Sequence, residues 1–489
     1  MKLPKLRMSA ESVFCISLFF VFTCWAFASP NGSTQDDYWH MSSIYCSNSG
    51  NSPCQVPRFI QSTPCFSMGI DNPDITPACV DPSSLSELGP VIKQNINSYT
   101  GGYYSVMNRM QWGSLRQFVL SIRLINSIIF LSLLRMLLFI SHESRNIIKA
   151  FIGAMIATIS PLFIWFVPSI NMTSWSFTST TIIWFSAAIA LKEPKSPKRL
   201  NAILISIVTL AIAVSSKPEA VFYCLLAVGT VYFLVSDLKI KLHLPITIIS
   251  IIFALIIFLY LSDSSNGRVI FRGFRENSIG NILSPYYTIR NTAKAVELYA
   301  GSFATQIGDS DVNIPATSWL FSAVAISVMA AIGLKNMTRL QSVVALTCSI
   351  FMFGVPLAIL NLSSVQVGGF IATRYIWGLL FGFVFCLLLK TKSVNIFLPR
   401  ASVAIACGAA NFAAIGALFA VLRRYTVGAS STSWNLDADK LWWWNTPVTP
   451  LTLLGLAFVV QTIFFGSAYK ILTRIEETNV PLPLSSPSR

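Results

Sequence analysis

Two adjacent carboxylates follow the first apolar segment of the chain. Asp36 and Asp37 lie in the stretch Ser29 to Cys46, directly after an apolar run at about 12 to 29. Helices are anchored at a membrane surface by Trp, Tyr, Lys and Arg, so an acidic pair there indicates chemistry or cation binding. Adjacent carboxylates either raise one pKa by repulsion, which suits a general base, or share a hard cation such as Mg²⁺, Mn²⁺ or Ca²⁺. The alternative is that the pair caps the start of a helix.

His40 lies three residues after Asp37. If this turn is helical, the two side chains share a face, because residues i and i+3 are neighbours on a helix surface. His40 is therefore a candidate member of the same site. The alternative is a surface histidine with no part in the chemistry.

Four cationic side chains are candidates for binding a phosphate. Arg123, Lys217 and Arg374 stand at helix ends on the side of the acidic pair, and Arg290 lies in a later loop on that side. A phosphate at membrane depth is poorly hydrated and calls for charge-assisted hydrogen bonds, which Lys and Arg supply. The alternative for each is snorkelling to lipid headgroups.

The composition is typical of a polytopic α-helical membrane protein. Of the 489 residues, 54% are hydrophobic and only 11% are charged, and the mean hydropathy is +0.63. The net charge of +15 comes without a basic stripe or basic helix, so nucleic acid is not an expected partner. We expect one all-α integral membrane domain over residues 1–489, with the lipid bilayer as its surroundings.

Apolar segments of spanning length predict about 12 transmembrane helices. They lie at about 12 to 29, 118 to 140, 147 to 169, 174 to 191, 200 to 216, 218 to 235, 244 to 261, 316 to 334, 340 to 361, 371 to 389, 402 to 422 and 449 to 471. Every second loop is rich in Lys and Arg, so the positive-inside rule predicts a multi-pass protein of the cell membrane with both termini cytoplasmic. Residues 30–117, 262–315 and 423–448 are then extracytoplasmic loops.

The first segment has a second interpretation. Its basic start and the sequence Ala26-Phe27-Ala28 at its end also describe a signal peptide with a cleavage site. We expect the segment to be retained, because about 17 apolar residues can span a membrane and would tether the acidic pair.

Four of the ten cysteines lie in the first long polar loop, and six lie in apolar segments. The loop cysteines are Cys46, Cys54, Cys65 and Cys79. An even set confined to one loop predicts two disulfides on an oxidising face, with three possible pairings. Zinc is the alternative, although paired Cys-x-x-Cys spacings are missing.

The order of these features resembles the GT-C class of polytopic glycosyltransferases, which carry an acidic motif in the first outer loop. Asp36-Asp37-Tyr38 fits that motif. More closely, the chain resembles a bacterial membrane family of unknown function placed near the GT-C enzymes. The matching stretches are Asp36-Asp37-Tyr38-Trp39-His40 with Cys46 and Cys54, Tyr103-Tyr104, Ile122-Arg123-Leu124 with Asn126, Ser169-Ile170-Asn171, and Arg374-Tyr375. The chain departs from the family where Ser29-Pro30-Asn31-Gly32 replaces a Pro-rich start and Thr100 to Tyr104 replaces a Tyr-Pro-Pro stretch.

The resemblance implies a GT-C-like fold with a disulfide-stapled first loop. It also implies inverting transfer of a sugar from a polyprenyl-phosphate donor to a cell-envelope glycan or lipid acceptor on the extracytoplasmic face. On this hypothesis Asp36 or Asp37 is the base and the other positions the acceptor or a metal, while the four cations bind phosphate. Two alternatives are a lipid or glycan transporter, which would need ionisable groups near the bilayer midplane, and a non-catalytic cell-envelope assembly protein.

Overall fold

The structure is a computed structural model, and it describes most of the chain. The described residues are 8–48, 54–57, 88–90, 101–141, 144–192, 198–235, 285–300, 307–308, 311–335, 337–362, 365–367, 371–389, 398–428 and 431–474. The predicted span at 244–261 and the loop cysteines Cys65 and Cys79 lie outside these ranges.

The described part of the chain is almost entirely helical. Its helices are α1 (Ala10–Phe27), α2 (Asp37–Cys46), α3 (Gly102–Asn108), α4 (Leu115–Ile140), α5 (Arg145–Thr158), α6 (Pro161–Phe166), α7 (Thr173–Lys192), α8 (Lys198–Val214), α9 (Pro218–Val235), α10 (Pro285–Ala293), α11 (Glu297–Ala300), α12 (Ala316–Leu334), α13 (Arg339–Ser349), α14 (Val355–Leu362), α15 (Thr373–Leu388), α16 (Arg400–Thr426) and α17 (Pro450–Thr473). A π-helical turn, Ile350–Gly354, joins α13 to α14. Two short strands, β1 (Gln55–Pro57) and β2 (Leu88–Pro90), pair antiparallel with Val56 opposite Gly89.

Seven helical segments of the described residues are long and apolar enough to cross a membrane. They are α1, α4, α9, α12, the continuous stretch Arg339–Asn361, α16 and α17. Helix α15 is also apolar but shorter. A multi-pass membrane protein is therefore confirmed in outline, whereas the predicted number of twelve spans is not. The predicted segments near α5 and α8 give helices of only 14 and 17 residues, which are short for a hydrocarbon core of about 30 Å.

The predicted span at about 147 to 169 is not one helix. Helix α5 ends at Thr158, and α6 begins at Pro161. A proline inside a helix lacks the N–H for the i−4 bond and its ring clashes with the preceding turn, whereas the first helical position tolerates it. Pro161 therefore divides this apolar segment into two helices.

Helix α7 occupies the centre of the bundle. Every residue from Thr173 to Ala190 is buried, and α7 packs against α4, α8, α9 and α15. Some of its hydroxyl groups bond within the helix: Ser179 donates to the Trp175 carbonyl at 2.8 Å, and Thr180 donates to the Ser176 carbonyl at 2.7 Å. Bonds of this kind allow Ser and Thr to be buried in a helix among apolar neighbours.

Close packing between α15 and α7 requires a glycine. A Cβ at Gly382 would overlap the indole ring of Trp184, whereas a Cβ at Gly408 in α16 would meet no atom within 4 Å. We expect Gly382→Ala to destabilise the protein by about 1–3 kcal/mol, since the buried indole would have to move. Gly408→Ala should be neutral or stabilising by up to about 1 kcal/mol, because alanine favours a helix.

Thermal unfolding of the two purified variants in detergent measures this difference. Equal unfolding temperatures for Gly382→Ala and Gly408→Ala would contradict the packing described between α15 and α7.

Candidate functional site

Arg123 fixes the point at which the chain leaves α1. Its guanidinium donates to the carbonyls of Ala26 at 2.7 Å, Ser29 at 2.9 Å and Pro30 at 2.9 Å, and the side chain is only 1% exposed. The last carbonyls of a helix have no partner inside the helix, so a cation from a neighbouring helix satisfies them well. Arg123 therefore holds the segment that leads to the acidic pair.

A buried polar network supports the same segment from the other side. Asn126 donates to the Ser169 carbonyl at 2.7 Å and to the Tyr103 hydroxyl at 3.2 Å, and Asn171 donates to the Gln35 carbonyl at 2.8 Å. These contacts bring together motif residues that lie far apart in the sequence. The bond from Asn171 to the Gln35 carbonyl fixes the backbone directly before Asp36.

Asp36 joins the start of α2 to the start of α15. It occupies the N-cap position of α2 with φ +65°, a left-handed conformation that Asp tolerates better than most residues. Its side chain makes no capping bond to α2; instead Oδ2 accepts a hydrogen bond from Arg374 Nη2 at 2.8 Å. The Asp36 side chain is 42% exposed and that of Arg374 is 4% exposed. The capping interpretation therefore does not describe what the Asp36 carboxylate does.

Asp37 is a buried carboxyl group with one unused acceptor. It is 0% exposed, its Oδ2 accepts a hydrogen bond from the Thr34 amide at 3.1 Å, and its Oδ1 bonds to none of the described residues. Burial raises the pKa of Asp37 from 3.8 to about 7, although the Arg123 charge and the bonds from Thr34 lower it. Asp37 can consequently exchange a proton at neutral pH.

Two buried cations meet at Tyr375, and one of them, Arg374, is paired with Asp36. Arg374 also donates to the Gln35 side-chain oxygen and, at 3.0 Å, to the Tyr375 hydroxyl. Lys217 Nζ donates to the Thr173 hydroxyl at 2.8 Å and lies 4.6 Å from the centre of the Tyr375 ring. Tyr375 thus links the two cations. A pair of desolvated cations of this kind can bind an anion such as phosphate.

His40 lies on the first turns of α2, so the helical turn on which its predicted proximity to Asp37 depended is present. It is 2% exposed, and its Nδ1 is 2.9 Å from the Tyr104 hydroxyl. Burial, together with the Lys217 and Arg374 charges, holds the pKa of His40 well below its ordinary value of 6.5. The imidazole is therefore neutral at physiological pH, and its role in the site stays a prediction.

Other predicted residues lie away from this cluster or outside the described residues. Arg290 is in α10, where it donates to the Tyr286 hydroxyl at 2.6 Å; its contacts in the described part of the chain do not include the acidic pair. Cys46 and Cys54 are bonded to each other. Because Cys65 and Cys79 are not described, the stapled loop with two disulfides stays a prediction.

Several residues of the cluster were not predicted. Gln35 and Thr173 bind the two cations, and Glu219 lies within the electrostatic reach of both. Tyr375 was noticed only as the neighbour of Arg374. Gln35 is next to Asp36 and Glu219 is two residues after Lys217, so a position near a predicted residue was the available signal for these two. Thr173 has no predicted neighbour in the sequence, and only the fold shows that it faces the cluster.

The described residues do not fit a metal site. They contain no group of three or more His, Cys, Asp or Glu side chains that could hold a metal ion. The Asp36 carboxylate is already bound to a guanidinium, and a single buried carboxyl group supplies too few oxygen ligands for Mg²⁺, Mn²⁺ or Ca²⁺.

The helices and the buried charged cluster at one end of the bundle define a polytopic α-helical membrane protein. A family model described as "Predicted membrane protein (DUF2142)" matches residues 19–383, and the chain belongs to that family. The matched range includes Asp36, Asp37, His40, Lys217 and Arg374. No curated protein and no solved structure matches the chain.

The raised pKa of Asp37 should make the stability of the folded protein depend on pH. A carboxyl whose folded-state pKa is raised contributes stability that is fully present below its unfolded pKa of 3.8 and is lost as the pH rises through about 7. Asp37→Asn stays neutral throughout. We therefore expect the variant to lose less stability than the wild type when the pH rises from 5 to 8. These two pH values lie about two units below and about one unit above the folded-state pKa of Asp37.

Thermal unfolding at both pH values measures this effect. Asp439→Asn is the control, since it makes the same change of side chain at an exposed position. A wild type and an Asp37→Asn protein with the same pH dependence would show that Asp37 titrates normally.

Proposed function

We propose that this protein is a glycosyltransferase of GT-C type. It would move a sugar from a polyprenyl-phosphate donor to a cell-envelope glycan or lipid acceptor on the extracytoplasmic face. Both termini of the protein would then lie in the cytoplasm. The observation that carries the proposal is the Asp37 carboxyl group, which is buried, has an unused oxygen and has a pKa of about 7. Its neighbour Asp36 is paired with Arg374, and Tyr375 connects Arg374 to Lys217. The donor class comes from the resemblance of the motifs to GT-C enzymes.

Asp37 is the better candidate for the base. General bases work best with a pKa near the operating pH, and Asp37 meets this condition. On the proposal, Asp37 accepts the hydroxyl proton of the acceptor while the acceptor oxygen bonds to the anomeric carbon. The bond from that carbon to the phosphate oxygen breaks at the same time, and its electron pair leaves with the polyprenyl phosphate. A single displacement of this kind inverts the anomeric centre.

Arg374 and Lys217 would stabilise the departing phosphate. Cations that are already desolvated and fixed in place stabilise the negative charge that develops on the leaving oxygen. Arg374 is held by Asp36 and Tyr375, and Lys217 is held by Thr173, so neither has to be ordered during the reaction. Asp36 is then a positioning residue, and the phosphate would share the Arg374 guanidinium with it.

Arg123 has a different part in this proposal. Its guanidinium already binds three carbonyls at the end of α1, so it positions the acidic pair. Because Asp37 is fully buried, an acceptor reaches it only after the covering side chains move. Binding of substrate should therefore include a conformational step, as in many enzymes that exclude water from the reaction.

Transfer of labelled sugar from a panel of synthetic polyprenyl-phosphate sugars tests the proposal. We expect the wild type to transfer or slowly hydrolyse one donor, at a rate that rises with pH through about 7. Asp37→Asn should be slower by about 100-fold or more, which is the usual contribution of a general base. Asp439→Asn should match the wild type.

Three results would oppose the proposal. Full activity of a folded Asp37→Asn protein would remove Asp37 as the base. A wild type that binds a donor without transferring or hydrolysing it would favour transport, and one that ignores every donor would favour a role in assembly.

A separate variant tests the phosphate contacts. Arg374→Gln removes a charge-assisted donor, and we expect it to reduce kcat/KM for the donor by about 10- to 100-fold. Arg423→Gln is the control, because Arg423 is a cation at the same end of the bundle that stacks on Phe419, 5.5 Å from its ring centre. Equal kcat/KM values for the two variants would exclude Arg374 from donor binding.

A further inference from the structure

A second charged region surrounds a cavity of about 620 Å³. It lies at the opposite end of the bundle from the acidic pair. Ser9, Ala10 and Glu11 at the start of α1 line it, whereas Asp36 follows the end of α1. The 18 residues of α1 separate the two regions by roughly 27 Å at 1.5 Å per residue. A test of this cavity is therefore independent of the proposed glycosyltransferase activity.

The side chains around the cavity are strongly biased toward positive charge. Among the described residues that line the cavity, one is acidic, Glu11. Five are cationic: Arg135, Arg145, Lys149, Lys198 and Arg474. Lys149 is 8% exposed, so one of the charges is buried in the wall. Within the described part of the chain, Arg135, Arg145 and Arg474 form no ion pair with a carboxylate. Such a concentration of like charge is unfavourable without an anion.

The backbone adds to this positive potential. Helices α1, α5 and α8 all begin at the cavity, with Ala10, Arg145 and Lys198 as their first residues. The start of a helix carries a partial positive charge and unpaired N–H groups. The ends of α4 and α17 also reach the cavity and offset part of this effect, since helix ends are partly negative. Among the described residues of the lining, Arg135, Arg145 and Arg474 still lack a paired carboxylate.

Part of the wall is apolar. Leu138, Ile148 and Ile471 line the cavity, and Phe139 beside them is 72% exposed on the outer surface of α4. A wall of this kind suits an acyl chain, while the cations suit a headgroup. Basic pockets between transmembrane helices bind anionic lipid headgroups by the same combination.

We propose that this cavity binds the phosphate group of an anionic amphiphile. The phosphate oxygens accept hydrogen bonds from the arginine and lysine side chains, and the chain lies against the apolar wall. The amphiphile is a membrane phospholipid. Free inorganic phosphate offers the same oxygens without the chain, and binding measurements distinguish the two. By the charge rule that orients the protein, this is the cytoplasmic side.

Binding to the purified full-length protein in a neutral detergent tests the proposal. The probes are short-chain phosphatidic acid, phosphatidylcholine of the same chain length, and inorganic phosphate. We expect saturable binding of phosphatidic acid, at least about tenfold tighter than that of phosphatidylcholine, because the second lipid has no net charge. The double variant Arg145→Gln with Arg474→Gln should weaken phosphatidic acid binding by about tenfold or more.

The matched control is Arg339→Gln with Arg400→Gln. Each of these arginines is exposed and, like Arg145, is the first residue of its helix, but neither lines the cavity. The control should bind as the wild type does. Competition by inorganic phosphate at equal concentration would identify the free anion as sufficient, whereas competition only by the lipid would show that the acyl chain is required.

Two outcomes would overturn the proposal. One is equal affinity of the wild type for phosphatidic acid and phosphatidylcholine. The other is an equal loss of affinity in the cavity and control variants, which would show that the arginines attract lipid only through the general charge of the membrane surface. Gel filtration of each variant shows whether it is folded.

Discussion

The ion pair between Asp36 and Arg374 is the contact on which the candidate site depends. It joins the start of α2 to the start of α15 across 338 residues of sequence. A nearly buried guanidinium is costly without a counter-charge, so the carboxylate and the guanidinium hold each other in place. Arg374 then fixes the hydroxyl of Tyr375, whose ring lies beside Lys217. The Asp36 carboxylate thus fixes Arg374 directly, and Tyr375 connects Arg374 to Lys217.

The segment before this ion pair is fixed by helix-end chemistry. A chain that leaves a membrane helix must satisfy its last carbonyls, because few waters reach them. Arg123 does so with three hydrogen bonds, and Asn171 binds the Gln35 carbonyl further along. The result is a short, rigid connection that directs Asp37 inward and Asp36 outward. Two neighbouring acids consequently have different environments, which allows one to be a proton acceptor and the other a positioning group.

The sequence predicted much of this site but not the division of roles within it. The acidic pair and the cations Lys217 and Arg374 were predicted from residue type and position, and His40 was added on the condition that its turn is helical. Arg123 is an arginine at a helix end like Arg374, yet it binds backbone carbonyls. Only the position of α1 relative to α4 reveals this difference. The burial of Asp37 was likewise hidden, since a polar loop gives no sign of which acid faces inward. The break at Pro161 was missed, because the segment at about 147 to 169 was predicted as one span although its proline indicates a helix boundary. The number of spans depends on helix lengths that hydropathy defines poorly.

The most direct measurement is an experimental structure of the protein with a non-hydrolysable polyprenyl-phosphonate sugar. The account places the phosphonate within hydrogen-bond distance of Arg374 and Lys217, with the Asp37 carboxyl group facing the anomeric carbon from the opposite side. A phosphonate bound at another surface, with the ion pair of Asp36 and Arg374 undisturbed, would contradict it.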